Sequence, residues 1–398
     1  MTPLRRLPDV LGVALAGVAV LLAGWLFVRF GSGNLVRMAT PDMHWHVDFD
    51  TFWRSAVALR EGTDLYDTGA RLPNLNPPLL SVLFTPLASV DVLSAYRAMV
   101  LLTLALVVGS VVAVAEEVGA RAGVAMLAVA ALLVSAPLHG TLALGQIYGL
   151  LTALLTAAWL AERRGRHGWS GVALGLLVAI KPSLLPLLAW PLLRRRWEAL
   201  GASLAAGAAA TLAGLVAGGW TATWEWLRLL AAKGADPFLD NDSLAGLAVR
   251  FGWPAWPGYL VASGLLAVTL VRVRRRPEYA LWAVTAASLL LAPIAWNNYL
   301  VLLAPSVPLL LVHGRWSAAL PVQALPMIGI EWSSLLDGGD SVPNRLGMSL
   351  YCGMLLVYWT VLANGRAGAA ELGAAAPDTV EGCPSPSPDR SPQPVPSR

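Results

Sequence analysis

The stretch PDMHWHVDFDTFWRSAVALREGTDLYDTGARLPNLNPPLLSVLFTP, residues 41–86, is the longest polar interval between the first and the last apolar segment of the chain. Six of the chain's 24 acidic residues lie between Asp42 and Asp67, where a membrane-spanning helix would not tolerate them. Of the 398 residues, 57% are hydrophobic and 13% are charged. A soluble domain carries about 25% charged residues, so the composition predicts an all-α polytopic membrane protein that holds residues 41–86 at a bilayer surface.

Arginine clusters in short loops predict the cytoplasmic side of the membrane. If Arg5 and Arg6 lie inside, an uncleaved signal anchor crosses outward and leaves residues 41–86 outside. The charges then predict about 12 transmembrane or half-membrane helices with both termini cytoplasmic. The predicted crossings are 10–30, 94–115, 121–137, 143–161, the two halves of 169–193, 201–218, 259–273, 279–295, a span that ends at 313, 318–335 and 347–362.

The segment 169–193 has arginine clusters at both ends, so a single span would place the second cluster outside and invert all later ones. The Lys181-Pro182 pair lies at its midpoint, where proline ends a helix. Each half is about 12 residues, or about 18 Å, which is short of a core about 30 Å thick. The segment therefore predicts a helical hairpin whose tip opens toward a cavity on the outer side.

Two short helices are predicted at the membrane interface in the first outer loop. Apolar residues at helical spacing in 48–60 predict an amphipathic helix that Gly62 ends, and a second apolar segment covers 79–87. Residues 220–256 form a second outer loop. The sequence thus predicts a membrane domain at 1–365 and a disordered, Pro/Ser-rich cytoplasmic tail at 366–398. It contains no Walker, Rossmann or nucleophile-elbow motif and nothing that indicates nucleic acid.

Asp48 and Lys181 are the sharpest candidates for chemistry. Asp48 is expected to be a catalytic base at the membrane edge, and the alternative is a helix N-cap. A lysine within an otherwise uncharged apolar stretch marks function by default, so Lys181 is expected to pair with a phosphate. Its alternative is snorkelling to the interface. His44, His46, Asp48 and Asp50 alternate as metal ligands would on a strand, but the apolar spacing favours a helix, so we predict neither a metal nor a cofactor.

Other candidates lie at predicted helix ends, where structural roles compete with binding. Gln146, Asn241, Ser243, Asn297 and Asn298 would each suit helix-end hydrogen bonding or a substrate contact. Arg250 would suit an interface anchor or an anion site. Asp50 would suit a solvated surface acid.

The order of these motifs resembles the GT-C superfamily of polyprenyl-phosphate-sugar-dependent glycosyltransferases, and specifically glycosyltransferase family 87. The resemblance covers roughly residues 10–365. The matching pieces are Asp48-Phe49 with Phe52-Trp53-x-x-Ala56, Gly62-x-Asp64-Leu65-Tyr66, Asn76-Pro77-Pro78 with Pro86-Leu87, Gly145-Gln146, Gly171 through Lys181-Pro182, Asn241-x-Ser243-Leu244 with Arg250, and Trp296.

The resemblance implies a GT-C-like fold and an inverting transfer from a polyprenyl-phosphate sugar donor to an envelope glycolipid or lipoglycan on the outer face. Asp48 would be the base, and Lys181 and Arg250 would bind the donor phosphate. Residues expected to bind substrate are Asp50, Tyr66, Gln146, Asn241, Ser243, Asn297, Asn298 and Tyr299.

The sequence departs from the family pattern at two places. Asp242 stands where the family often has glutamine, and Asn298-Tyr299 stands where many mannosyltransferase members have a His-His pair. Mannose is the expected sugar and arabinofuranose the alternative. A lipid or sugar transporter, which would also place a lysine in a mid-membrane cavity, is the competing class.

Overall fold

The computed structural model describes residues 38–238, 241–273, 277–314 and 341–364, together with Val18, Leu21 and Trp25. Apart from those three positions, the predicted first span lies outside these residues, as do the predicted span 318–335 and the tail. The α-helices, numbered in chain order, are α1 Val47–Glu61, α2 Pro78–Phe84, α3 Val92–Glu117, α4 Ala122–Leu133, α5 Ala136–Leu144, α6 Tyr148–Arg163, α7 His167–Ile180, α8 Ala189–Leu193, α9 Trp197–Ala232, α10 Leu244–Arg250, α11 Trp256–Arg272, α12 Pro277–Leu291, α13 Ser306–Val312, α14 Val342–Met348 and α15 Leu350–Ala363. Short 3-10 helices lie at Met43–Trp45, Leu87–Ser89, Pro182–Leu188 and Asn297–Leu303. The β pairing recorded in the described part of the chain is one isolated antiparallel bridge between Asn241 and Trp296.

Helix α12 lies at the centre of the core. Its residues Ala280, Trp282, Val284 and Ala286 are all fully buried, because α12 packs against α11, α15 and the 3-10 helix Pro182–Leu188. A helix that is apolar on every side needs such surroundings.

The outer helices carry the opposite pattern. Leu101 on α3, Val216 on α9 and Leu260 on α11 are 68%, 76% and 66% exposed, as side chains that face lipid would be. Among the described residues, α3 and α9 are long and apolar enough to cross a membrane, and the bent pairs α4–α5 and α14–α15 raise that number to four if each pair is one span. The chain is therefore a multi-pass membrane protein, and the full set of about 12 crossings stays a prediction.

The predicted hairpin is present. Helix α7 ends at Ile180, Lys181 is non-helical at φ −134°, and the chain returns through the 3-10 helix Pro182–Leu188 and α8. The start of the first arm and the end of the second arm lie at the same end of the hairpin, opposite its tip. There Arg196 Nε lies 3.4 Å from Glu162 Oε1, and the Gly168 amide donates to Glu198 Oε1 at 3.1 Å.

The first arm of the hairpin packs closely on α9. A Cβ built on Gly175 would lie 2.2 Å from the Ser203 carbonyl oxygen, and one on Gly171 would lie 2.1 Å from that of Ala199. Only glycine permits this backbone approach, so α7 is held at a fixed position with Lys181 at its end.

Two predicted span boundaries in the first half of the chain were wrong, and Pro137 explains both. The span 121–137 ends at Leu133, and α5 starts at Ala136 with a bend of 55°, because Pro137 belongs to the first turn of a new helix. The span predicted at 143–161 consequently begins later, at Tyr148.

Two more differences concern the second half of the chain. The second outer loop was predicted from residue 220, but α9 continues to Ala232 after a break at Gly219, whose φ is +80°. The tenth span is not one helix. It consists of the 3-10 helix Asn297–Leu303 followed by the short α13, with Pro305 capping the latter.

The segment 41–86, predicted to be the first outer loop, contains both predicted helices, α1 and α2. Gly62 ends α1 in the left-handed conformation at φ +69°. The apolar face of α1 packs on protein, since Phe49 and Phe52 lie 6.0 Å and 5.5 Å from Phe84 of α2, measured between ring centroids. Packing inside the protein therefore accounts for the amphipathic pattern, and contact with lipid stays a prediction.

Candidate active site

Asp48 lies in the first turn of α1 and is partly buried. The cap of this helix is His46, and no side chain makes a capping hydrogen bond there, so the N-cap alternative for Asp48 does not describe the structure. The Gln146 side chain hydrogen-bonds to the Asp48 carboxylate, and the Lys181 ammonium interacts with it electrostatically. The two residues on which the sequence argument depended most are thus brought together.

Burial sets the protonation of this carboxylate. It raises the pKa of Asp48 from 3.8 to about 6, against the opposing effects of the Gln146 hydrogen bond and the Lys181 charge. A carboxylate with a pKa near 6 is ionised at neutral pH and is still basic enough to accept a proton, which is the range that suits a general base.

Gln146 reaches Asp48 because of the glycine before it. Gly145 has φ +69°, and a Cβ on it would lie 2.5 Å from the Phe49 Cβ. The turn between α5 and α6 therefore passes directly against α1 at the residue next to Asp48. A side chain at position 145 would push the two segments apart.

Lys181 lies at the hairpin tip and is partly buried. Its Nζ donates to Asn76 Oδ1 at 3.2 Å and lies 5.5 Å from the centroid of the Tyr299 ring. An ammonium group has three N–H donors, so these contacts leave donors for an anionic ligand. We call Asp48, Asn76, Gln146, Lys181 and Tyr299 the aspartate–lysine site.

A buried chain of hydrogen bonds holds Asn76. Its amide N and its Nδ2 both donate to Asn74 Oδ1, at 3.0 Å and 3.2 Å. Asn74 Nδ2 donates to Ser55 Oγ at 3.0 Å, and Ser55 in turn donates to the Leu65 carbonyl at 2.8 Å. The acceptor of Lys181 is thereby connected to α1.

Tyr66, which was predicted to bind substrate, supports the same asparagine. Its hydroxyl donates to the Asn76 carbonyl at 3.0 Å, and burial raises its pKa. Its contact with the aspartate–lysine site is therefore through Asn76.

Of the three predicted site residues at 297–299, Tyr299 contacts the aspartate–lysine site. The Tyr299 ring lies against Lys181 and is 4.4 Å from the Tyr148 ring between centroids. Asn297 and Asn298 are buried. Asn298 lies against Gly140, where a Cβ would be 2.2 Å from the Asn298 Oδ1.

Asn241 has a structural role that uses its whole side chain. Its Nδ2 donates to the Asp236 and Pro293 carbonyls at 2.8 Å and 3.2 Å, and its Oδ1 accepts from the amides of Ser243 and Ala295 at 3.2 Å and 2.9 Å. A carboxamide has two donors and two acceptor positions. None remains for a substrate, so we leave Asn241 out of the proposed substrate site.

Ser243 and Arg250 complete this structure. Ser243 caps α10 by accepting from the Gly246 amide at 3.0 Å. Arg250 is 6% exposed and donates to the Pro237, Phe238 and Asn241 carbonyls and to Ser349 Oγ. These contacts tie residues 237–250 together and join them to Ser349, and anion binding by Arg250 stays a prediction. We call Asn241, Ser243 and Arg250 the loop clamp.

Asp50 lies apart from both groups. Its carboxylate accepts from Arg54 Nε at 2.8 Å, one helical turn away, and substrate contact by Asp50 stays a prediction. In the described ranges, no group of three or more His, Cys, Asp and Glu side chains is arranged to hold a metal ion.

The family follows from comparison with known proteins. The model of glycosyltransferase family 87 matches residues 74–295, which is more than half of the chain. The chain belongs to glycosyltransferase family 87. It is therefore a membrane glycosyltransferase, and the transporter class considered from the sequence is set aside.

Relatives of this family 87 chain include two kinds of enzyme. It is 27% identical over 382 residues to a polyprenol-phosphate-mannose-dependent alpha-(1-2)-phosphatidylinositol mannoside mannosyltransferase of Mycobacterium tuberculosis, which covers 85% of this chain and 88% of the relative. The Mycolicibacterium smegmatis protein of the same description is 26% identical over 332 residues, 71% of this chain and 74% of its own length. An alpha-(1->3)-arabinofuranosyltransferase of M. tuberculosis is 28% identical over 258 residues, 61% of this chain and 59% of the relative.

Sequence reasoning missed the residues that align this family 87 site. His46 is fully buried, stacks on Tyr96 at 3.7 Å between ring centroids, and contacts the Ala143 carbonyl through Nδ1 at 2.6 Å. It thus fixes the start of α1 against the segment that leads to Gln146. A histidine in a polar loop carries no signal of burial. Asn76 was visible as part of the Asn76-Pro77-Pro78 motif, but it was not predicted to be a site residue.

Proposed function

We propose that this enzyme transfers mannose from a polyprenyl-phosphate donor to a hydroxyl of an envelope glycolipid or lipoglycan, at the outer face of the bacterial plasma membrane. The single observation that carries the proposal is that a carboxylate with a pKa near 6 and a lysine ammonium interact electrostatically in one partly buried site. The reaction needs these two groups at the two ends of the transferred sugar.

The lysine suits the leaving group. As the bond between the anomeric carbon and the phosphate oxygen breaks, its electron pair stays on the polyprenyl phosphate, which departs as a stabilised anion. Such a leaving group needs a cation rather than a general acid. Lys181 supplies that charge, and Asn76 holds the ammonium group through the contact at 3.2 Å.

The aspartate suits the nucleophile. The acceptor hydroxyl forms the new bond to the anomeric carbon and gives its proton to the Asp48 carboxylate, a step that contributes about 10²–10⁴-fold. A single displacement through an oxocarbenium-like transition state inverts the anomeric centre. The atoms and charges balance without a bound metal or an organic cofactor.

The distribution of arginine supports an outward-facing site. Arg163, Arg164 and the cluster 194–196 gather at the end where the hairpin arms start and finish, and Lys181 lies at the opposite tip of that hairpin. If the arginine-rich end is cytoplasmic, the tip points toward the outer side, with both termini inside.

The sugar is proposed from the relatives. The mannosyltransferase matches 85% of this chain and the arabinofuranosyltransferase 61%, which favours mannose. Asn298-Tyr299 stands in place of the His-His pair of many mannosyltransferase members, and Tyr299 lies in the aspartate–lysine site, so arabinofuranose is kept as the alternative sugar.

The test is transfer by the purified full chain in lipid nanodiscs. Radiolabelled polyprenyl-phosphate-mannose, polyprenyl-phosphate-arabinofuranose and GDP-mannose would be offered in parallel with an envelope glycolipid extract. We expect a labelled glycolipid from polyprenyl-phosphate-mannose only. Product from the arabinofuranose donor alone would establish the alternative sugar, and transfer from the nucleotide would contradict the lipid-phosphate donor.

A further inference from the structure

A cavity lined by charged and aromatic side chains lies at the arginine-rich end of the hairpin. Its volume is about 290 Å³, and it opens between the ends of α6 and α8 and the starts of α9 and α12. The residues that define it here are Trp159, Arg163, Trp190, Arg194 and Arg196, and we call it the arginine–tryptophan cleft. It shares no residue with the aspartate–lysine site.

Two guanidinium groups are held in this cleft by aromatic rings. Arg163 Cζ lies 4.9 Å from the centroid of the Trp159 ring, and Arg194 Cζ lies 4.9 Å from that of Trp190. Both tryptophans are buried, at 2% and 5% exposure. Stacking fixes the plane of a guanidinium but leaves its N–H groups at the edge, which is the arrangement that binds phosphate.

The carboxylates in and beside the cleft already have partners. Glu162 contacts Arg196 at 3.4 Å and His167 at 2.8 Å, and Glu278 lies 3.4 Å from His313. Glu117 pairs with Arg164 at 2.8 Å and is 3.6 Å from Arg163.

Arg194 differs from these arginines. Among the described residues, no carboxylate lies within ion-pair distance of its guanidinium, and its recorded contact is the stacking on Trp190. The cleft therefore keeps positive charge for an anion.

The surroundings of the cleft are those of a membrane–water boundary. Trp169 and Trp197 lie beside the arginine clusters and are 70% and 63% exposed, and Leu192 is 47% exposed. Exposed tryptophan and leucine next to arginine match the level of lipid headgroups. Basic pockets between membrane helices at that level bind anionic headgroups.

We propose that the arginine–tryptophan cleft binds the phosphate headgroup of an anionic phospholipid, with Arg163 and Arg194 as its ligands. The volume of the cleft is several times that of one water molecule, enough for a phosphate with polar groups attached. This site is independent of the sugar transfer and would fix the hairpin base in the leaflet at the arginine-rich end.

The experiment is native mass spectrometry of the full chain in detergent, titrated with phosphatidylglycerol or phosphatidylcholine. We expect saturable binding of phosphatidylglycerol that R194Q weakens about fivefold and the R163Q/R194Q pair by about 25-fold. R164Q is the matched control, because Arg164 is paired with Glu117 and does not line the cleft. It should bind as the wild type does.

Three results would overturn the proposal. Equal affinity for the two lipids, or an equal loss in R164Q, would mean that the cleft does not select the headgroup. Competition by glycerol 3-phosphate at the concentration at which phosphatidylglycerol binds would assign the cleft to a soluble phosphate. If the double variant does not purify as a single species, R194Q alone decides the question, since its loss removes only a stacking contact among those described.

Discussion

The aspartate–lysine site and the loop clamp are both buried polar clusters, yet their hydrogen bonds are distributed differently. In the loop clamp, Asn241 has all four hydrogen-bonding positions occupied by the chain itself. In the aspartate–lysine site, Asp48 and Lys181 are partly exposed, and the contacts of Lys181 leave N–H donors available. Saturated polar groups hold a backbone in place, whereas charged groups with remaining capacity are available to a ligand.

The two clusters are also connected. The loop clamp fixes the backbone at 293–296 through Asn241 and the antiparallel bridge to Trp296. Tyr299, three residues later, lies against Lys181. The comparison therefore separates groups that act on substrate from groups that place them, and substitutions in each should behave differently.

The largest difference is expected between Asp48→Asn and Asp50→Asn. The first removes the base and should lower transfer by about 10²–10⁴-fold, measured as radiolabelled product per milligram of monodisperse protein. The second removes an acid that is paired with Arg54 on the same helix, so its activity should stay near that of the wild type. Turnover retained by D48N and lost by D50N would move the base to Asp50.

The pH dependence of the melting temperature of D48N provides an independent check on the pKa of Asp48. The folded-state pKa of about 6 lies above the ordinary 3.8, so ionisation of Asp48 opposes folding as the pH rises from about 4 to 6. Asparagine removes this cost of up to about 3 kcal/mol. D48N should therefore melt at a higher temperature than the wild type above pH 6, and the advantage should vanish as the pH falls toward 4.

The second effect concerns the cation. Lys181→Met should lower kcat/KM for the donor about 10²-fold, because the departing phosphate loses its stabilising charge, and Lys181→Arg should recover part of it. Lys233→Met is the matched control, since Lys233 pairs with Asp236 at 3.0 Å outside the site. An equal loss in both lysine variants would mean that net charge, not the position of Lys181, matters.

Asn76 should show a smaller effect as a positioning residue. Asn76→Ala removes the acceptor of Lys181 and should lower kcat about tenfold, with less change in KM for the acceptor glycolipid. Asn364→Ala is the control, because Asn364 also accepts a hydrogen bond from a cation, Arg272, but away from the site. Unchanged kinetics in N76A would remove Asn76 from the account.

The loop clamp should respond through stability. Asn241→Ala leaves the Ser243 and Ala295 amides without their acceptor and should cost about 2–4 kcal/mol of folding free energy. The protein that remains folded should keep its KM for the donor. A loss of donor binding at unchanged melting temperature would instead return Asn241 to the substrate site.

The sequence predicted the structure best where charged residues lie within or beside an apolar segment. The arginines on both sides of 169–193 and the Lys181-Pro182 pair predicted the hairpin, because a lysine and a proline in an apolar segment each have few allowed positions. It was less informative where the break depended on contacts between distant segments. The bend between Leu133 and Ala136 and the 3-10 helix Asn297–Leu303 occur in apolar stretches whose composition also suits a straight helix.

The same limit applied to the site. Lys181 could be selected from the sequence because a charged residue within an apolar segment is rare, and Asp48 because it lies at the start of the predicted amphipathic helix. Asn241 and Gln146 could not be told apart, since both are amides beside a helix end. Only the hydrogen bonds of the folded chain assign one to the loop and the other to the carboxylate.

The most direct test of Asp48 as the base is the pH dependence of kcat/KM in the wild type and in Gln146→Leu. Because kcat/KM reports the free enzyme, activity in the wild type should fall as the pH drops through about 6, the pKa of Asp48. The Gln146 hydrogen bond lowers that pKa, so its removal should move the midpoint above 6. A midpoint near 4, or one that Gln146→Leu leaves unchanged, would contradict the assignment of Asp48 as the catalytic base.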